Sequence, residues 1–152
     1  MSILNWEYKH FTALTNKELY AILDLRNKVF VVEQNCVYND TDAKDLQCWH
    51  LCGWQNNVLA AYARIIAPGI SYEEASIGRV ITHPDFRRFG YGKELMRIAI
   101  EKTKSQFNVN TIKIGGQLYL EKFYTNLGFF RSSEEYLEDG IPHIEMVYKT
   151  TL

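Results

Sequence analysis

Apolar and polar positions alternate in some stretches of the chain and recur every three to four residues in others. Residues 3–10, ILNWEYKH, partly alternate and predict a strand. Thr15 and Glu18 form a capping-box pair, with Leu19, Ile22, Leu23, Arg26 and Val29 behind it at helical spacing. A helix is therefore expected over residues 16–29. The stretch FVVEQNCVYNDTDAKD is dense in carboxylates and turn formers and reads as an irregular loop. CWHLCGW and VLAAYARIIA follow as a hairpin turned at Gln55-Asn56-Asn57, since asparagine tolerates positive φ. Pro68-Gly69 marks a break, and residues 75–82 form another strand, ended by His83-Pro84. His83 is expected to end that strand and His143 to open the last one, and neither is given a role.

Behind Gly90 and Gly92, residues Tyr91, Leu95, Ile98, Ala99 and Lys102 share one helical face. Lys93, Glu94, Arg97, Glu101 and Lys104 fall largely on the other, so this helix is amphipathic. TIKIGG reads as a strand, LYLEKFYTNLG as a helix stopped by Gly128, and HIEMVYK as a closing strand. The order of elements is mixed, and no repeat or linker divides it. One domain over residues 1–152 is expected.

Composition narrows the function. Hydrophobic residues make up 47% and charged residues 23%, which is globular. A net charge of −1 argues against a polyanion binder, so no nucleic acid is expected as a partner. No apolar run reaches membrane length, and MSILNWEYKHF lacks a signal-peptide core. No membrane partner and a cytoplasmic location are expected. Cys36, Cys48 and Cys52 are an odd set without a secretion signal, so free thiols are expected. Cys48, His50 and Cys52 would share one strand face, but tetrahedral zinc wants a fourth donor. Buried thiols are preferred to a metal site.

The stretch HPDFRRFGYGKELM, residues 83–96, carries the strongest chemical signal. A helix N-terminus leaves backbone N–H groups unpaired and carries the positive end of the helix dipole. Both favour an anion, usually phosphate. Glycine lets a ligand approach the backbone, and arginine adds charge-assisted hydrogen bonds. Arg87, Arg88, Gly90 and Gly92 thus read as a phosphate cradle, or as a plain turn with two solvated arginines. The cradle lacks the Gly-Lys-Ser/Thr ending of a P-loop and the three glycines of a dinucleotide loop.

The string RRFGYG, residues 87–92, resembles the Q/R-x-x-G-x-G/A pattern of the GNAT superfamily of acyl-CoA-dependent N-acyltransferases. QLYLEKFYTNLGF, residues 117–129, is similar to that family's late helix. LRNKVFVVEQNCVYNDTDAKD further resembles its ElaA-like branch. The resemblance implies a mixed α/β (α+β) fold: a largely antiparallel central sheet with helices on both faces. The sheet would splay between residues 75–82 and 111–116. It implies acetyl-CoA as cosubstrate and a small-molecule or peptide amine as acceptor; no metal is expected, and the sequence leaves monomer or homodimer open. Val80, Ile81 and Thr82 would hold the pantetheine arm. The amides of residues 87–92, with Phe89 and Tyr91 among them, would hold the pyrophosphate. Gln117 stands where many relatives have an asparagine near the cofactor. Tyr124 would protonate the leaving thiolate.

The amine must also lose a proton, and the base is open. Many relatives place a glutamate on the fourth strand, where this chain has Ser76, Gly78, Arg79 and Val80. Candidates are Glu33, whose apolar neighbours could raise its pKa by burial, and His50, which titrates near neutrality. The acids Asp42 and Asp45 are candidates for the base and for attracting a cationic acceptor. The leading reading is an N-acetyltransferase working by direct attack in a ternary complex. The alternatives are a non-catalytic acyl-CoA-binding module and a phosphate-binding structural domain.

Overall fold

The computed structural model describes residues 3–150. Strand β1 (Asn5–His10) leads into α1 (Asn16–Arg26), whose Thr15–Glu18 capping box is complete. The helical path does not stop at residue 29. It continues as wide π-helical turns over Asn27–Glu33, through the FVVE that had read as loop. Three β-branched valines crowd a regular turn here. The widened path keeps Val29 in the core while Phe30 and Glu33 face a cleft.

Strands β2 (Trp49–Gln55) and β3 (Val58–Ile66) form the expected hairpin, with Asn56 at φ +54°. Then come β4 (Ser76–Thr82), α2 (Tyr91–Phe107) and β5 (Thr111–Gln117). The late helix is shorter than expected. A 3₁₀ turn at Leu118–Leu120 precedes α3 (Glu121–Asn126), and Gly128 at φ +106° turns the chain out of it. Strands β6 (Phe129–Arg131) and β7 (Tyr136–Glu138) escaped the sequence reading, because three residues carry no period. Strand β8 (Ile141–Lys149) closes the fold.

The strands make two antiparallel sheets. One runs β1-β2-β3-β4; in the other β8 lies between β5 and β6 and also pairs β7. A single parallel bridge, Ala75 to Ile112, joins them, with the Lys113 amide donating to the Ala75 carbonyl at 2.9 Å. Beyond that bridge β4 and β5 part. Leu95, Met96 and Ala99 of α2 pack against Ala63 and Ile65 of one sheet and Ile112, Ile114, Ile144 and Met146 of the other. Burying each such leucine, isoleucine or methionine contributes about 1.5–3 kcal/mol, more together than one bridge hydrogen bond. Helix α2 therefore holds the sheets together while their far ends stay open. On the other face Ile22, Leu25 and Val29 pack on Cys52, Leu59, Tyr62 and Ile81. Helices thus cover both faces of a mixed, mostly antiparallel, splayed sheet.

Candidate active site

The gap between β4 and β5 is a cavity of about 1130 Å³. Val80, Ile81 and Thr82 line one wall, and Ile114, Gly115, Gly116 and Gln117 line the other. The β3–β4 register explains the shape of the first wall. Tyr62 faces Ile81 and Arg64 faces Gly78, so Arg79 and Val80 together oppose Ala63. That is a β-bulge, with Arg79 at φ +52°. It bends β4 away from a regular ladder beside the cavity.

The cradle lies at one end. Arg87 and Gly92 line the cavity, and Gly90, at φ +79°, is the N-cap of α2. No side chain caps that helix. Arg88 is exposed at φ +72°, and Phe89 is half exposed. The Tyr91 side chain instead sits in the core, with rings Phe86 and Phe89 near it. A Cβ at Gly92 would reach Thr82 Oγ1 at 3.4 Å and the Phe123 ring at 3.7 Å, so the bare backbone keeps this approach open.

Tyr124 on α3 is buried and lines the cavity. Its ring lies where a Cβ on Gly116 would come within 3.1 Å, so only glycine lets the tyrosine lie flat on β5. Phe123 and Phe129 meet it edge-on. Burial raises its phenol pKa well above the ordinary 10.0, so the hydroxyl is protonated at neutral pH.

The proposed bases and acceptor acids lie in quite different surroundings from those expected. Glu33 is not buried. Its carboxylate accepts two 2.7 Å hydrogen bonds from Arg87, and that pairing lowers its pKa. The expected rise is therefore corrected to a fall, which makes Glu33 a poorer base. Next to it Gln34 and Gln117 exchange side-chain hydrogen bonds of 3.4 and 3.2 Å across the cavity mouth. His50 is buried away from the cavity lining. Its Nε2 donates to the Asp45 carbonyl at 3.0 Å, and Nδ1 accepts from the Tyr62 hydroxyl at 2.6 Å. Burial lowers its pKa and holds it neutral.

Asp42 and Asp45 are already paired. Arg26, wholly buried, donates to Asp40 and Asp45, each at 2.7 Å. Arg64 grips Asp42 at 2.7 and 3.0 Å and reaches Asp45 at 3.0 Å. Arg79 lies 2.9 Å from Asp40 and donates to its carbonyl at 2.8 Å. Burial alone would raise the Asp45 carboxyl. The hydrogen bonds and charges of Arg26 and Arg64 outweigh it and hold the pKa below the ordinary 3.8. The acidic loop is thus no bare lure for a cation: its three aspartates face three arginines. Cys48 and Cys52 are free and buried, with the Cys48 thiol pushed up to about 11. Among the described residues no cluster of His, Cys, Asp and Glu is arranged to hold a metal.

A splayed sheet, a glycine-bearing helix start and a buried tyrosine meet in one cavity. A family model described as Acetyltransferase (GNAT) domain matches residues 26–150. The chain belongs to that family. It is an acyltransferase, and the family's chemistry is acyl transfer from an acyl-CoA donor. It is 41% identical to Protein ElaA of Escherichia coli over 95% of each chain. The crystal structure of that protein superposes with a TM-score of 0.90 at 40% identity, over 97% of this chain and 100% of that one. An acyl-CoA N-acyltransferase from Pseudomonas aeruginosa gives a TM-score of 0.91 at 39% identity, over 95% and 99%. An aminoglycoside 6′-N-acetyltransferase complexed with coenzyme A shares the fold at 15% identity, with a TM-score of 0.70 over 94% and 96%.

Several cavity residues of this GNAT chain escaped the sequence reading: Arg64, Arg79, Tyr38, Tyr72, Gln34 and His143. The Gly115-Gly116 pair was a usable signal, since two bare positions on a strand announce a close approach. The arginines gave none, because their partners lie 19–39 residues away in sequence.

Proposed function

We propose that this protein moves an acetyl group from acetyl-CoA to an amine by direct attack in a ternary complex. One observation carries the reading: a single cavity runs through the β4–β5 splay and is reached from both faces of β5. Side chains alternate along a strand. Tyr124 covers Gly116 on one face, while the hydroxyls of Tyr72 and Tyr136 meet the Cβ position of Gly115 on the other. Ligand sites usually enclose about 300–1,000 Å³, so a cavity of about 1130 Å³ has room for a donor arm and an acceptor together.

The residues present fit coenzyme A. The uncapped start of α2, with Arg87 and Arg88, suits a pyrophosphate. The bulged edge of β4 at Val80–Thr82 suits an extended, amide-bearing arm that pairs like a strand. Backbone amides there would also receive the oxyanion that develops at the thioester carbonyl. Tyr124, kept protonated by burial, would give its proton to the departing sulfur. Holding the amine and thioester side by side removes several kcal/mol of the barrier. The buried Cys48 and Cys52 are poor nucleophiles, which supports direct transfer over an acetyl-enzyme.

The test is release of coenzyme A thiol from acetyl-CoA with a panel of amines, with the acetylated product identified by mass. Initial rates with both substrates varied should give intersecting lines. Parallel lines, or an acetyl group trapped on Cys36, would overturn direct transfer. No thiol release with any amine would overturn the acceptor class.

A further inference from the structure

We infer that His143 is the general base of this enzyme, taking the acceptor's proton at Nε2; the inference rests on the acetyl-transfer reading above. His143 stands near the start of β8, buried and lining the cavity. Its Nδ1 lies 2.7 Å from the Ile141 carbonyl oxygen. A carbonyl only accepts, so Nδ1 carries the hydrogen, and in the neutral ring Nε2 holds the lone pair. Among the described residues nothing donates to Nε2. The Glu138 carboxylate lies 3.5 Å away, and a carboxylate cannot donate to a neutral ring.

Its place in the sheet matches the task. His143 pairs with Gln117 on β5 and with Tyr136 on β7. It therefore shares a face with Gln117, Gly115 and the Tyr136 ring, 5.9 Å away between centroids. Tyr124 covers Gly116, on the opposite face. A base on one side of β5 and an acid on the other is what a reaction needs when amine and thiol approach a carbonyl from opposite sides. The groups facing the ring are Glu138 and Tyr136 of β7 and Gln117 of β5. The nearest cation along that face, Lys113, is paired with Glu145 at 3.1 Å.

The step balances. The acceptor arrives as an ammonium, and its first proton passes to Nε2 and then to solvent. The neutral nitrogen forms the C–N bond. As the C–S bond breaks, the sulfur takes the Tyr124 hydroxyl proton; the nitrogen's second proton leaves through Nε2 to solvent, and solvent restores the phenol proton. Histidine suits the first transfer because its ordinary pKa lies near neutrality. No local pattern marks His143, because only the folded sheet puts it beside the cavity.

The decisive variant is His143→Asn, whose amide N–H can keep the bond to the Ile141 carbonyl while Nε2 is lost. Using the fastest of n-butylamine, glycinamide, spermidine and a lysine peptide amide, kcat should fall about 10²–10⁴-fold. Coenzyme A affinity by calorimetry should stay unchanged. The acid limb of the kcat profile should disappear. His143→Ala should regain activity when imidazole is added to the buffer, which a purely structural histidine would not allow. Nitrogen-15 spectra of the wild-type ring, which need no acceptor, should show hydrogen on Nδ1. A folded Asn variant with wild-type kcat and acid limb, or a ring protonated on Nε2 alone, overturns the inference. If both variants fail to fold, the spectra still decide the tautomer on which it stands. Wild-type protein that acetylates none of these amines would strike the acetyl-transfer reading itself and the inference with it. Activity that persists in His143→Asn would strike the inference alone.

Discussion

Two regions of the cavity are built by different physics. At the cradle end the chemistry is local: Arg87, Arg88, Gly90 and Gly92 lie within six residues, and the backbone they shape is itself the binding surface. Elsewhere Asp42, Arg64 and Arg79 line the cavity as part of a buried charge network. Arg26, Arg64 and Arg79 come from a helix and two strands, and Asp40, Asp42 and Asp45 come from one loop. The first region needs only a turn to form. The second exists only when α1, β3, β4 and the loop are all in place. A carboxylate at such a site is therefore a scaffold part before it is a binding group.

The largest expected effect tests that reading. Asp45→Ala removes the carboxylate that two buried guanidinium groups share, leaving each with one aspartate, and breaking a buried pair typically costs about 3–5 kcal/mol. Urea unfolding should show a loss of that size; a loss under 1 kcal/mol would mean the network is not holding the loop. The pH dependence has a definite sign. The Asp45 carboxyl is depressed in the folded protein, so the stability it contributes is complete above its ordinary pKa near 3.8. That stability is lost as pH falls through the lower folded value. Asp45→Asn should flatten this acid decline.

Next comes the acid on the donor side. Tyr124→Phe keeps the ring on Gly116 and removes the hydroxyl. It should lower kcat about a hundredfold or more and spare coenzyme A affinity. A loss confined to KM would make the hydroxyl a binding group instead.

A smaller effect is expected at the cradle. The contacts a Cβ would make at Gly92 are ordinary, so Gly92→Asp should fold. Its negative charge at the helix start should weaken coenzyme A binding roughly tenfold, about 1.4 kcal/mol. Unchanged affinity in calorimetry would remove this loop from the donor site.

The smallest effect is expected beside the cradle. Glu33 holds Arg87 in an exposed ion pair, and such pairs contribute about 0–1 kcal/mol. If the pair competes with the pyrophosphate, Glu33→Gln should tighten coenzyme A binding about two- to fivefold. Weaker binding would show instead that Glu33 positions Arg87 for its ligand.

Features that depend on neighbours along the chain could be read from the residues alone. The Thr15–Glu18 cap, the Asn56 turn, the amphipathic face of α2 and the glycine-arginine helix start were all legible, because each is settled within one or two turns of backbone. The FVVE segment was not, since packing of Val29 and the reach of Glu33 to Arg87 decide its wide turns. Asp42 and Asp45 read as free acids, because nothing local announces that Arg26 and Arg64 will bury against them. Burial was expected to raise Glu33 and instead a partner 54 residues away lowers it. His143 read only as the start of a strand. Tertiary structure alone paired it with Gln117, fixed its ring on the Ile141 carbonyl and set it in the cavity lining. Charge and proton affinity are set by what lies within a few ångströms in space, and that set of neighbours exists only after the sheets have closed on α2.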